Sequence, residues 1–179
     1  MNPTRLTEHL PGLRRYARAL TGSQWAADDL VQDTLERACT KWSLWLAGTD
    51  LRAWLFTLMH NIYASDVRRA IRRQVTAPTD DWDESVTQVA AQETDLDTRI
   101  DLQRCLMQLP EEQRIVLLLV GMEGLSYSEV AHITRTPLGT VMSRLSRARL
   151  RLHLLMDASP HEAQDSPPVD NVVHLPLKH

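Results

Sequence analysis

The 179-residue chain has little cysteine and no long hydrophobic run. Cys39 and Cys105 are its two cysteines, and neither has a second Cys or a His at metal-ligand spacing. This pattern argues against a disulfide framework and a zinc site, and we interpret both as reduced side chains. The longest apolar run, residues 115–120, is far shorter than the ~18 residues that span a bilayer. The first residues are polar and do not resemble a signal peptide. We therefore expect a cytoplasmic protein without membrane insertion.

Motifs of enzyme active sites are also missing from the sequence. There is no glycine-rich phosphate loop, no nucleophile elbow and no His pair at the helical spacing of metal ligands. Asp28, Asp29 and Asp33 lie close together on one expected helix, where a metal site is conceivable. A charged surface that binds a partner protein is the interpretation we favour. We expect a protein that is not an enzyme, with no cofactor and no metal.

Strand signals are scarce, and charge is distributed unevenly. Aromatic residues make up 5% of the chain, and no segment alternates apolar and polar residues with period two. Residues 1–75 hold 11 Lys and Arg against 7 Asp and Glu, residues 76–103 hold 1 against 8, and residues 104–157 hold 7 against 5. An all-α protein is therefore predicted. Its two basic blocks could attract nucleic acid although the net charge is −3.

Three helices are expected in the N-terminal block. The first covers about residues 4–20 and bends near Pro11, the second runs from an N-cap at Ser23 to about Leu46, and Asp50 caps the third. The basic end of the third helix suits either nucleic acid or arginine stems lying over a core. The apolar positions are Trp25, Leu30, Leu35, Ala38 and Trp42 in the second helix and Leu51, Trp54, Leu55, Leu58 and Ile62 in the third.

The C-terminal block predicts a helix-turn-helix. A helix over about 95–109 precedes another that Pro110 begins and Gly121 and Gly124 end. Residues 126–129 form a capping box for a short helix, and Thr136 is expected to cap a last helix that ends near Met156. Three arginines share one face of that helix, which could enter a major groove or remain a solvated basic surface. They are Arg144, Arg147 and Arg151.

Five segments carry a family resemblance: residues 27–34, 51–69, 109–114, 125–131 and 137–149. In this order and spacing they resemble regions 2 and 4 of bacterial sigma factors of the extracytoplasmic-function (ECF) group. The resemblance implies two small helical domains joined by an acidic linker. Region 2 would cover 1–75, a flexible linker 76–94, the region 4 helix-turn-helix 95–157 and a disordered tail 158–179.

The resemblance also implies a role for particular residues. Core RNA polymerase would bind the protein through its β′ clamp helices and β flap, and the protein would read and help to open promoters. The polymerase-binding residues would be Asp28, Asp29, Gln32 and Asp33. The −10 element would be contacted by Gly48, Asp50, Asn61, Arg68, Arg69, Arg72 and Arg73. The −35 element would be contacted by Thr136, Thr140, Ser143, Arg144 and Arg147.

Alternatives follow from the same resemblance. An anti-sigma factor is an expected partner that would hold the protein inactive. A sigma-like decoy that binds regulators without promoter activity is the second hypothesis, and an ordinary helix-turn-helix repressor leaves residues 1–75 unexplained. The turn of the helix-turn-helix departs from the family pattern, since Arg135 stands where relatives usually have Gly. If Arg135 adopts the left-handed conformation, the cost is ~1 kcal/mol relative to Gly.

Overall fold

The computed structural model describes residues 6–45, 50–76 and 95–158. In these ranges the chain forms α-helices with short 3-10 and π turns, and it contains no strand. The all-α prediction is confirmed. Gly48, most of the predicted linker and nearly all of the predicted tail lie outside the described residues.

The N-terminal domain consists of α1 (Leu10–Thr21), α2 (Gln24–Thr40), a 3-10 turn (Trp42–Leu44) and α3 (Leu51–Thr76). Gly22 ends α1 in the left-handed conformation at φ 73°, and the Ser23 hydroxyl then accepts the Ala26 N–H at 3.4 Å. Asp50 caps α3, because its Oδ1 accepts the N–H groups of Arg52 at 2.8 Å and Ala53 at 3.3 Å. Ser23 and Asp50 are the helix caps that the sequence predicted.

Two expectations for α2 are wrong. The helix ends at Thr40 rather than near Leu46, because the following 3-10 turn brings Trp42 against other indoles. The Trp42 ring centroid lies 5.2 Å from that of Trp45 and 6.4 Å from that of Trp54. Trp25 was expected on the apolar face, yet 80% of it is exposed because it lies in the first turn of α2, beyond the edge of the core.

The C-terminal domain consists of α4 (Asp95–Met107), α5 (Glu111–Leu117), a π turn (Leu118–Met122), α6 (Tyr127–Thr134) and α7 (Leu138–Asp157). The capping box predicted for α6 is present, since Ser126 and Glu129 exchange side-chain and backbone hydrogen bonds. Arg135 ends α6 at φ 52° and ψ 43°, so the left-handed turn that the sequence implied is occupied by an arginine.

Two details of this domain differ from the sequence prediction. Gly121 does not end the helix before it but lies inside the π turn, and the chain leaves at Gly124 with φ 63°. Pro137, not Thr136, is the N-cap residue of α7. The Thr136 hydroxyl lies 2.9 Å from the Thr134 hydroxyl across the turn.

The two domains share one hydrophobic core. Tyr16 of α1 and Phe56 of α3 are fully buried and meet edge to face, with ring centroids 5.3 Å apart. The same cluster of buried side chains continues into α5 and α6 through residues such as Val116, Leu119 and Ile133. In this arrangement α6 packs against α3, so the two halves of the chain are in direct contact.

Candidate functional site

The first candidate surface is a polar ridge on α2. Asp28, Asp29, Gln32 and Asp33 are all exposed, as expected for a surface that binds a partner. Helical spacing divides them into two sides. Asp28 and Gln32 border a shallow groove beside Arg14 and Arg18 of α1, and Asp29 and Asp33 border another groove beside α3. The structure therefore brings the four predicted residues together on one ridge.

Carboxylates are crowded on the α3 side of this ridge. Partial burial raises the pKa of Asp33, and the neighbouring charges of Asp29, Glu36 and Asp66 raise it further. Trp25 lines the same groove, with its large exposed ring beside the acids. Several carboxylates next to an exposed indole are typical of a surface that binds a protein partner.

The second candidate surface lies along α3. Asn61 is half-buried and lies one helical turn after Thr57, so the two share a face. Asp50 is occupied as the helix cap described above, which gives it a structural role. The structure does not bring these positions together with Gly48, which lies outside the described residues.

The basic end of α3 is exposed to solvent. All four predicted arginines lie on the surface, and Arg69 forms an ion pair with Asp66 at 3.1 Å between Nη1 and Oδ1. Arg69 and Arg73 also line the groove that contains Asp29 and Asp33. Arginines in this arrangement can hold phosphates of a nucleic-acid strand. The four are Arg68, Arg69, Arg72 and Arg73.

The third candidate surface is the N-terminal half of α7. Arg147 is exposed, and Arg144 forms an ion pair with Glu112 of α5 that fixes its guanidinium on the domain surface. The Ser143 hydroxyl donates to the Thr140 carbonyl at 3.0 Å. Thr136 and Thr140 are half-buried at the start of the same helix. A major groove could be contacted by Arg147 directly and by Arg144 from a fixed position.

Sequence reasoning missed a set of residues between the domains. The Glu123 side chain is 0% exposed and forms ion pairs with Arg15 and Arg52, both at 2.8 Å. Arg114 is buried, and its Nη2 donates to the Tyr63 hydroxyl at 3.4 Å. No local pattern marks these residues, because their partners lie far away in the sequence.

His60 also lies at the contact between the domains. Burial lowers its pKa, and the positive charges of Arg135 and Arg68 lower it further. Its Nδ1 is buried and has no hydrogen-bond partner among the described residues. A neutral imidazole therefore occupies this position, and a proton there would be unfavourable.

Other kinds of site are not found in the part of the chain that the structure describes. None of its helices combines the length and apolarity needed to cross a membrane. No group of three or more His, Cys, Asp or Glu side chains there could hold a metal ion.

Two family models match the chain, one in each domain. The model described as the Sigma2 domain of PhyR matches residues 6–60, and the model described as Sigma-70, region 4 matches residues 99–152. The first match covers α1, α2 and the start of α3. The second begins within α4 and extends over most of α7, including the helix-turn-helix.

Whole-chain relatives agree with both matches. The chain is 37% identical to the ECF RNA polymerase sigma factor EcfG of Rhodopseudomonas palustris, over 91% of this chain and 88% of that protein. It resembles the sigma factor RpoE in its complex with the anti-sigma factor NepR from Bartonella quintana, with a TM-score of 0.76, 37% identity and coverage of 88% and 97%. It also resembles PhyRSL in its complex with NepR from Sphingomonas sp. Fr1, with a TM-score of 0.64, 27% identity and coverage of 100% and 99%. The chain belongs to the ECF family of RNA polymerase sigma factors.

Proposed function

We propose that this chain binds core RNA polymerase, directs it to promoters through −35 and −10 contacts, and helps to open the duplex. The observation that carries the proposal is the presence of an exposed polar, acidic ridge on α2 and an exposed basic helix α7 in one sigma-family chain. The two surfaces have opposite charge and lie in different domains. A protein that bridges a basic polymerase surface and DNA needs such a separation.

Each charged surface of the protein is assigned to one partner. The ridge of Asp28, Asp29, Gln32 and Asp33 docks on the β′ clamp helices, and the C-terminal domain contacts the β flap. Asn61 contacts a −10 base that leaves the stack, with Gly48 and Asp50 nearby, and extrusion of a base costs a few kcal/mol. The arginines at the end of α3 hold the backbone of the separated strands. Region 2 spans residues 1–75 and region 4 spans 95–157, joined by the acidic linker 76–94.

The −35 element is contacted by α7 in the major groove. Arg144 and Arg147 supply the charged contacts, and Thr136, Thr140 and Ser143 supply shorter polar contacts at the start of the helix. The protein performs no covalent chemistry in this role and acts in the cytoplasm, where its polymerase is. We further propose an anti-sigma factor similar to NepR as a partner, because two structural relatives are seen in complexes with that protein.

Run-off transcription tests this function. Purified core polymerase, the full chain and DNA from upstream of its own gene should give a discrete transcript that requires the chain. Core binding is measured in parallel by gel filtration. A chain that binds neither core polymerase nor promoter DNA would contradict the proposal.

A second candidate function is a sigma-like module that binds an anti-sigma factor without promoter activity. The match of residues 6–60 to the Sigma2 domain of PhyR favours it, as does the similarity to PhyRSL. The outcome that identifies this function is tight binding of an anti-sigma factor together with no binding of core polymerase.

The ridge on α2 leads to a prediction about polymerase binding. Asp29→Asn combined with Asp33→Asn removes two carboxylates from a surface that meets a basic partner. We expect association with core polymerase to slow by about tenfold at low salt, because complementary charge mainly accelerates encounter. Stopped-flow fluorescence measures this rate. Asp101→Asn is the matched control, because its carboxylate pairs with Arg104 on the same helix, away from the ridge. An equal slowing in both variants would contradict the assignment.

A further inference from the structure

A buried carboxylate joins the two domains. Glu123 follows the π turn of the C-terminal domain, and its Oε1 accepts from Arg15 of α1 through Nε at 3.1 Å and Nη2 at 2.8 Å. Its Oε2 accepts from Arg52 of α3 at 2.8 Å, and the same guanidinium also donates to the Glu123 carbonyl. Both arginines belong to the N-terminal domain. One side chain of the C-terminal domain is thus held by two cations of the other.

The surroundings of Glu123 are shaped to receive it. Gly12 of α1 leaves the space for the carboxylate, because a Cβ at that position would lie 3.0 Å from Oε2. The Arg52 guanidinium also lies 5.7 Å from the centroid of the Phe56 ring, one helical turn along α3. The carboxylate is therefore enclosed by the backbone at Gly12 and by the guanidinium groups of Arg15 and Arg52.

The π turn directs Glu123 into this pocket. The Glu123 N–H donates to the Leu118 carbonyl at 3.1 Å, five residues back, and the Leu125 N–H donates to the Leu119 carbonyl at 3.1 Å. A π turn holds one residue more than an α turn, so it rotates the following side chain relative to the helix before it. Without that extra residue, the Glu123 side chain would point in another direction relative to α5.

Contacts on either side extend the same interface. Gln103 of α4 donates to the Ala19 carbonyl at 3.3 Å, and Arg114 of α5 contacts Tyr63 of α3. Next to them, α6 lies over α3, and a groove of about 490 Å³ between them is lined by Thr57 on one side and by His132 and Ile133 on the other. Asn61 lies one helical turn after Thr57 on the same face of α3, so the closed form places α6 next to the proposed promoter-binding position.

The dimensions of a promoter also indicate that the two domains must separate. The names of the −35 and −10 elements place their centres about 25 base pairs apart, which is roughly 85 Å at 3.4 Å per base pair. A compact chain of this length has a radius of gyration of about 16 Å and therefore a diameter of about 40 Å. Domains that remain in contact cannot reach both elements at once.

We propose that Glu123, clamped by Arg15 and Arg52, is an intramolecular latch that keeps the two domains in a closed, autoinhibited form. Its release separates the domains and exposes the promoter-binding face of α3. The inhibitory part of this inference rests on the proposed function, whereas the latch itself rests on the ion pairs, which act together with the hydrophobic core that the two domains share. A partner that competes for Arg15 and Arg52 with its own carboxylates would open the protein.

The distance between the domains tests the latch. The full chain is labelled at the exposed Cys39 of α2 and at Ser146→Cys on α7 for single-molecule energy transfer, since the other native thiol, Cys105, is buried. Wild type should give mainly a short distance. Glu123→Gln keeps the shape but removes the charge, and it should raise the ratio of open to closed molecules at least tenfold. Arg15→Gln combined with Arg52→Gln removes the two cations of the N-terminal domain and should raise this ratio to a similar extent.

Control variants separate opening from unfolding. Asp101→Asn, which removes a carboxylate of the same domain that pairs within α4, should leave the distance unchanged. Far-ultraviolet circular dichroism should give unchanged helix content in every variant. A short distance retained in both latch variants, or a long distance in wild type, overturns the latch.

Transcription then tests the autoinhibition separately. With limiting core polymerase, Glu123→Gln should give several times more run-off transcript than wild type, because the binding-competent fraction is larger. Equal yields from an active wild type and an opened Glu123→Gln variant overturn the inhibitory role. If neither protein gives a transcript while the distance shifts as expected, the latch stands and the proposed sigma function fails.

Discussion

Arg135 is the clearest case in which one residue carries a conformational cost. It ends α6 in the left-handed region at φ 52°, where a Cβ crowds the following carbonyl. Glycine would adopt this conformation without that clash. Arg135 also lies close enough to His60 to lower the pKa of that imidazole, so its side chain affects the interface as well. Its backbone effect and its charge effect can be separated by mutation.

We predict that Arg135→Gly is more stable than Arg135→Ala by ~1 kcal/mol in the free energy of unfolding. Both variants lack the guanidinium, so the difference between them isolates the left-handed backbone. Urea denaturation followed by circular dichroism measures it. Equal stability of the two variants would mean that the turn relaxes to another conformation once the arginine is gone.

At the scale of elements, α7 combines a fixed and an exposed arginine. Glu112 in the first turn of α5 holds Arg144, and the rotation along α7 then places Arg147 on the same side in solvent. Arg149 lies two residues further, about 200° around the helix, and faces away from both. A recognition helix that uses one face should therefore tolerate the loss of Arg149.

We predict that Arg144→Ala combined with Arg147→Ala abolishes −35 recognition and spares polymerase binding. Two lost base or phosphate contacts at ~1–3 kcal/mol each reduce promoter affinity by about thirtyfold or more. Fluorescence anisotropy with a promoter fragment and reconstituted holoenzyme measures this affinity. Arg149→Ala should change it little. Simultaneous loss of polymerase binding in the double variant would contradict the −35 assignment.

At the scale of the whole molecule, the domain interface is sensitive to protonation. In the closed form, burial, Arg135 of the other domain and Arg68 lower the pKa of His60. When the domains separate, water and the loss of the Arg135 charge return the pKa toward its ordinary value near 6.5. The open form therefore binds more protons than the closed form below that pH, so acidification favours opening.

We predict that the closed fraction falls as the pH drops from about 7.5 to about 5.5, through the ordinary pKa of histidine. The energy-transfer pair on Cys39 and Ser146→Cys measures this fraction across the titration. His60→Gln should flatten the pH dependence because it removes the titrating group. An unchanged slope in that variant would assign the effect to other groups.

Local signals in the sequence were sufficient for much of the secondary structure. Ser23, Asp50 and the capping box of Ser126 and Glu129 begin helices where they were expected, because a cap depends only on its nearest neighbours along the chain. The end of α2 could not be predicted in this way. It depends on the contact of Trp42 with Trp54, which comes from another helix.

The candidate functional residues also fall into two groups, those predicted from local sequence and those that only the tertiary structure brings together. The sequence by itself determined the family, the exposed carboxylates of α2 and the arginine face of α7, since these follow from motifs and from helical periodicity. Only the tertiary structure decided that Glu123 is buried between Arg15 and Arg52 and that α6 covers α3. Residues 108 positions apart meet there, and no local pattern records such a contact. The physical reason is that ion pairing and burial depend on distance in space, whereas caps and helix faces depend on distance along the chain.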